Sequence, residues 1–269
     1  MSPVALSTLD LVLAASLILV NGVLSWLFRL GLERTLVVAA LRMVAQLTLI
    51  GLVLRWIFAA TSPWWTVALS LVMVAAAGLE VVGRQHRRIE GPGTLLLGTS
   101  TLLTVGLVAT AFAMLAAIRP EPLHAPQYVL PILGMVLGNA LTGMSLVLDT
   151  MTEAAGRERA AIEARLALGQ SRLEALSGPL RGSLRTGMMP ILNAMAASGI
   201  VSLPGMMTGQ ILSGVDPVEA TKYQILIMFL IAGATALAVV AAGIGGVHLL
   251  TDARHRLRLD RVRAQRDPG

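Results

Sequence analysis

Apolar and polar positions alternate along the chain in long blocks. Seven apolar stretches stand out, at about Leu6–Phe28, Thr35–Ile57, Trp64–Val82, Leu95–Ile118, Tyr128–Leu148, Met188–Leu212 and Tyr223–Leu250. A helix needs roughly 20 mostly apolar residues to cross a bilayer, and each stretch is close to that length. Within them the apolar residues run on continuously instead of alternating, which argues against strands. A helix also satisfies all its backbone groups internally, as lipid demands. The pattern predicts an all-α polytopic membrane protein with about seven transmembrane helices, a single transmembrane domain over residues 1–269. The first stretch lacks a basic n-region and a small-residue cleavage site, so it is expected to stay as a helix and not be removed as a signal peptide.

One sizeable polar segment interrupts this pattern, between the fifth and sixth stretches at about residues 151–187. Its first part is dense in Glu, Arg and Ala, which favour helix. Gly169 then interrupts it. Ser171 precedes Glu174 by three residues, the spacing of a capping box that opens a second short helix. Pro179 suits the first turn of a third helix leading into the sixth stretch. The expected layout is helix, sharp glycine turn, short transverse helix and return to the membrane. Such an elbow can plug into a groove on a partner and pass rigid motion to its flanking spans. The plainer reading is an amphipathic connector.

Composition agrees with the pattern. Of 269 residues, 55% are hydrophobic and only 13% charged, with a mean hydropathy of +0.76. A soluble domain carries about 25% charged residues. The net charge of +6 comes from short basic runs between apolar stretches, so nucleic-acid binding is not expected. These runs follow the first, third, fifth and seventh stretches: Arg29 and Arg34; Arg84, Arg87 and Arg88; six arginines from Arg157 to Arg185; six from Arg254 to Arg266. Basic loops mark the cytoplasmic side, which places the N-terminus outside and the C-terminus inside a cell (inner) membrane. There is no cysteine. The single lysine, Lys222, does not follow G-x-x-x-x-G, so the chain holds no P-loop. No cofactor is expected in this chain, and ATP would have to be bound by a partner subunit.

Polar residues inside apolar stretches are the candidates for function. Arg42 lies seven residues into the second stretch, with Gln46 one turn on. A charge at the bilayer centre costs about 2.5–3.5 kcal/mol, so Arg42 is expected to face a bundle interior or a wet cavity, or else to snorkel. Asn139 sits in the fifth stretch. In the sixth, Ser202, Pro204 and Gly205 precede Met206, Met207, Thr208 and Gln210. Pro204 removes a backbone hydrogen bond, and a broken helix is tolerated where it lines a cavity or is covered by protein. The pairs Gly205/Gly209 and Gly134/Gly138 have G-x-x-x-G spacing, which ordinary helix packing explains. Met206 and Met207 invite a metal reading, but packing is the default for methionine. The four histidines show no ligand spacing, and the identity of any metal ligand stays open.

Three sets of residues carry a family resemblance. The segment Glu163-Ala164-Arg165, followed by Gly169, resembles the EAA–Gly pattern of ABC-transporter permeases, with Arg165 in place of the second Ala. The run Val129 to Ala140 and the run Gly199 to Gln210, which contains S-L-P-G-M-M-T-G-Q, add to Leu41-Arg42 and Gln46. Together they resemble the FetB-type permease family, which includes bacterial iron-export permeases and plant aluminium-tolerance half-transporters. The likeness covers nearly the whole chain. It implies a permease subunit that pairs with a cognate ABC ATPase, as two permeases with two ATPases, and exports iron or a related metal species. Glu163, Ala164, Arg165, Gly169, Ser171 and Glu174 would then couple to the ATPase. Against a bare metal ion, the deep membrane region holds almost no carboxylates. A neutral or anionic solute such as a nucleotide sugar, or a complexed metal, stays open, as does a secondary transporter driven by an ion gradient.

Overall fold

The computed structural model describes residues 7–59, 62–85, 87–252 and 254–264. His86, Arg266 and the connection at residues 60 and 61 lie outside them. The chain divides into two compact units, one of Met1–Ser62 with Gln210–Val215, the other of Pro63–Gly209 with Asp216–Gly269.

The first unit holds α1 (Thr8–Leu27) and α2 (Glu33–Ala59). Ser7 caps α1 by accepting a hydrogen bond from the Asp10 amide, and the Ser7 backbone N–H donates in return to the Asp10 carboxylate. Ser25 fastens the turn between the helices: its hydroxyl donates to Glu33 Oε1 at 2.8 Å and accepts from the Leu32 amide at 3.0 Å. Among the described residues of these two helices, Ser25 and Ile57 are the buried ones.

The second unit is built on α5 (Pro126–Arg157), against which α3 (Pro63–Gly83), α4 (Gly93–Phe112), α8 (Ser177–Ala197) and α10 (Pro217–Leu250) pack. Between α5 and α8 lie α6 (Arg159–Ala167) and α7 (Arg172–Ala175); α9 (Gly205–Leu212) follows α8. A π-helical stretch, Ala113–Ile118, extends α4 and ends at Arg119, whose φ is 49°. The core includes Leu102, Val136, Ala140, Met144, Val147, Leu148, Ala238, Val239 and Ala242, all fully buried. With its 34 residues, α10 is longer than the hydrocarbon core of a bilayer is thick.

Two short strands join distant parts of this unit. β1 (Arg87–Ile89) pairs antiparallel with β2 (Val262–Ala264). Beside the pair, Asp252 accepts from the amides of Arg254 and Arg256 at 2.9 and 3.0 Å. These bonds, that of the Arg256 amide foremost, hold its carboxyl down at about 2. The seven apolar stretches do not foreshadow this clasp, because three-residue strands carry no periodicity.

The all-α membrane class is as expected. Among the described residues, six helices are long and apolar enough to cross a membrane. The sixth predicted stretch is the exception. The structure corrects its bounds from Met188–Leu212 to a helix that begins at Ser177, stops at Ala197 and resumes at Gly205. Its start agrees with the third helix expected from Pro179, which lies in the first turn; Arg181 and Arg185 only kept these turns out of the apolar stretch.

The glycine contacts also differ from expectation. A Cβ on Gly205, Gly209 or Gly138 would meet nothing within 4 Å, and one on Gly134 only the end of Met73. The close approach is elsewhere. A Cβ on Gly143 would lie 3.0 Å from the Gly187 carbonyl oxygen, and one on Gly187 2.8 Å from that of Gly143. α5 and α8 therefore cross backbone to backbone, and α10 closes over the crossing through Val239.

Candidate functional site

Two interruptions in the second unit collect most of the candidate residues. The first is the elbow from Glu158 to Leu176. Here α5 ends and α6 begins within one residue. Gly169 turns the chain at φ +87°, where a residue with Cβ is strained. Ser171 opens α7 through a complete capping box: the Ser171 hydroxyl accepts from the Glu174 amide, while Glu174 Oε2 accepts from the Ser171 amide at 2.8 Å and hydroxyl at 2.7 Å. Those bonds to the charged form hold the Glu174 carboxyl below its ordinary value, the hydroxyl bond being the stronger cause.

The elbow has a core of its own. Ile162 on α6 and Ala175 and Leu176 around α7 are fully buried, packed with Met151, Ala155, Val247 and Leu250. Arg165 Nη1 donates to the Ala175 carbonyl at 3.2 Å and so ties α6 to α7. The Arg that departs from the EAA pattern thus has a structural task. Glu163, on the outer face of α6, accepts from Arg159 Nε at 2.8 Å, and Ala164 beside it is exposed. Leu168, at the tip, is 84% exposed. A polar cleft of about 460 Å³ opens between the arms, lined by Arg165, Gln170, Glu174, Ser177, Gly178 and Arg181. All six predicted coupling residues therefore fall on one elbow.

The second interruption is the break between α8 and α9. Ser198 and Ser202 bridge across a tight turn in which Gly199 adopts φ +89° and donates its N–H to the Ser202 carbonyl at 2.9 Å. The turn presents Ile200 and Val201 outward, 93% and 80% exposed. Pro204 starts the next segment, and its carbonyl accepts both the Thr208 amide and the Thr208 hydroxyl. Behind the turn lies a mainly apolar cavity of about 540 Å³ between the end of α8, the break and the first turns of α10. Met207 lines this cavity, whereas Met206 packs on the apolar core.

The predicted pathway residues do not form one group. Asn139 donates to the Met135 carbonyl of its own helix at 2.9 Å. Ser202, Pro204, Gly205, Met206, Met207 and Thr208 belong with the break, while Arg42, Gln46 and Gln210 belong to the first unit. The expectation that Arg42 faces a bundle interior is not met within the chain. Arg42 and Gln46 both lie on the exposed surface of α2, which buries only Ile57 among its described residues. Two buried carboxamides were missed. Gln85, fully buried after α3, donates to the Val81 carbonyl at 3.2 Å, and its Oε1 has no hydrogen-bond partner. Gln224, on α10, lines the cavity behind the break and also has an unpartnered Oε1. A glutamine inside an apolar run was the available signal for Gln224.

Comparison with known proteins gives a consistent picture. Residues 8–250 match the model of a family described as Uncharacterised protein family (UPF0014). The chain is 34% identical to the UPF0014 membrane protein YjkA of Bacillus subtilis, over 86% of this chain and 90% of that one. It is 28% identical to the Probable iron export permease protein FetB of Escherichia coli, over 92% and 93% of the two chains. It is 31% identical to the Protein ALUMINUM SENSITIVE 3 of Arabidopsis thaliana, over 82% and 79%. No solved structure matches the chain significantly.

Proposed function

We propose, from the premise that this chain belongs to the UPF0014 family of membrane proteins, that it is the permease subunit of an ABC transporter. A separate ATPase drives it, and the elbow takes the stroke. The observation that carries this reading is the elbow's construction. Its arms are joined by the hydrogen bond from Arg165 to the Ala175 carbonyl and by a buried core, and its tip leaves Leu168 exposed. A force on the tip is not absorbed by a loose loop. It reaches α5 and α8, which are in backbone contact at Gly143 and Gly187 and so move together. By the rule that basic loops stay inside, the elbow lies in the cytoplasm with the ATPase. Two permeases and two ATPases make the working complex.

Export of iron or a related metal species is supported by the relative named a probable iron export permease. A second reading, a complexed metal or a neutral or anionic solute, has one observation in its favour. The carboxylates of α3 and α5 are engaged toward one end of each helix, Glu80 with Arg84 at 3.5 Å, Asp149 with the Arg87 amide at 3.3 Å and Glu153 with Arg157 at 4.0 Å. None offers a bare multivalent cation a free charge deep in the membrane.

Purification with a cognate ABC ATPase tests the reading. Wild-type protein retains the ATPase and hydrolyses ATP faster with cargo. Glu163→Arg, and Gly169→Val at the left-handed turn, insert normally but lose the ATPase. Normal retention by both variants contradicts the coupling assignment. ATP-dependent flux of free Fe²⁺ in proteoliposomes, indifferent to chelating ligands, removes the second cargo reading.

A further inference from the structure

We propose that the polar cleft of the elbow is a socket for a carboxylate, and that an acidic side chain of the ATPase seats there between Arg165 and Arg181. The proposal rests on the permease reading above and names the chemistry of the partner surface. The two guanidiniums reach the cleft from different elements, Arg165 from α6 and Arg181 from the first turns of α8. Arg165 is half-buried and spends one N–H on the Ala175 carbonyl. Arg181 makes no side-chain hydrogen bond and no ion pair among the described residues. A guanidinium offers five N–H donors in a planar fork, so most of these donors are left over.

Neighbouring arginines are satisfied differently. Arg159 has Glu163 at 2.8 Å, and Arg157 has Glu153 at 4.0 Å. Carboxylates are at hand for the cleft too, yet they stay apart from its arginines. Glu174 lines the cleft, but its Oε2 is taken by the Ser171 amide and hydroxyl. Glu158 Oε2 would lie 3.7 Å from a Cβ on Gly178, on the cleft wall. Among the described residues, neither carboxylate pairs with Arg165 or Arg181. With both counted, residues 158–185 still hold five arginines against three glutamates. The surface stays positive, and the two forks lack the acid that would fill them.

The backbone favours the same guest. α8 begins at this cleft without a side-chain cap, and its first two residues, Ser177 and Gly178, line it. The first N–H groups of a helix have no intrahelical acceptor, and the helix dipole adds positive potential there. Guanidinium forks hold a carboxylate through two parallel hydrogen bonds. Gln170, also on the cleft wall, stands two residues from Leu168 at the exposed tip. The partner that covers the tip also reaches the cleft, which favours its side chain over a lipid headgroup.

The complex of the full chain with a cognate ABC ATPase, purified in detergent, tests this. Lys222→Arg removes the single lysine of the chain, and Arg181→Lys then places the one lysine amine in the cleft. A zero-length carbodiimide joins that amine to a carboxylate touching it, and mass spectrometry identifies the carboxylate. The doubly substituted chain keeps the ATPase, and position 181 couples to an Asp or Glu of the ATPase. Arg181→Glu weakens ATPase retention about tenfold at an unchanged melting temperature. Arg157→Glu, the same charge change at the end of α5, alters retention by less than about twofold. Coupling of position 181 only to Glu158 or Glu174 of its own chain, or to a lipid, while the ATPase is bound overturns the proposal and leaves the permease reading standing. So does equal retention by Arg181→Glu and the wild type. Failure of the wild type itself to hold the ATPase strikes the permease reading, and the proposal falls with it.

Discussion

The elbow between α5 and α8 and the break between α8 and α9 are both departures from continuous helix, and they are built in opposite ways. The elbow closes on a core of its own: the cap of α7 is complete and Ile162, Ala175 and Leu176 are fully buried, while Leu168 stands exposed at the tip. The break turns its apolar side chains outward, with Ile200 and Val201 at 93% and 80% exposure. It also leaves the Gln224 oxygen unpaired behind it. A segment completed by its own contacts holds its shape when pushed. A segment that leaves polar and apolar groups unsatisfied is completed by what surrounds or enters it. The difference fits the proposed transmission of a stroke through the elbow.

The comparison breaks most readily at the elbow core. Ile162→Ala is expected to destabilise the protein by about 2–5 kcal/mol, whereas Val201→Ala changes stability by no more than about 0.5 kcal/mol. Thermal unfolding in detergent measures both, and equal losses would erase the distinction. The next effect is at the helix crossing. Gly187→Ala costs about 1–3 kcal/mol, because its Cβ meets the Gly143 carbonyl and the Val147 side chain. At the start of α9, a Cβ on Gly205 meets nothing within 4 Å. Gly205→Ala is therefore neutral or stabilising by up to about 1 kcal/mol, and the same unfolding series reads both glycine variants.

A smaller effect sharpens the contrast through the cap. Ser171→Ala costs about 1 kcal/mol and speeds proteolysis at the elbow alone. The pH dependence has the same origin. Glu174 titrates below its ordinary value of 4.5, so its contribution is complete above that value and is lost as pH falls through the lowered one. Elbow proteolysis is therefore constant from neutral pH to about 5 and rises only in stronger acid. Proteolysis at residues 198–204, which contain no titratable side chain, does not follow it.

Much of this architecture was legible because membrane segments declare themselves by length and continuity. The elbow was legible too: Ser171 and Glu174 have capping-box spacing, and Gly169 sits where the chain must turn. The break was legible from Pro204. The stop of α8 at Ala197 was not, since the apolar run carries on through Ile200, Val201 and Leu203. Nor were the glycines at the α5–α8 crossing. Gly143 and Gly187 lie on different helices and share no local motif, whereas three of the four glycines in the G-x-x-x-G pairs face open space. The cavity was hidden for the same reason: its walls come from the end of α8, the break and α10, which are placed together only by the fold.

The absence of cysteine from the chain permits a direct test of the claim that the elbow receives the stroke. Leu168→Cys, at the exposed tip, and Ile200→Cys, at the break, are each placed in native membranes with the ATPase and treated with a short thiol-reactive photo-crosslinker. The account predicts that position 168 crosslinks to the ATPase and is shielded from an impermeant maleimide added outside, while position 200 yields no ATPase adduct. Labelling of position 168 from outside, or an ATPase adduct from position 200 alone, would contradict it.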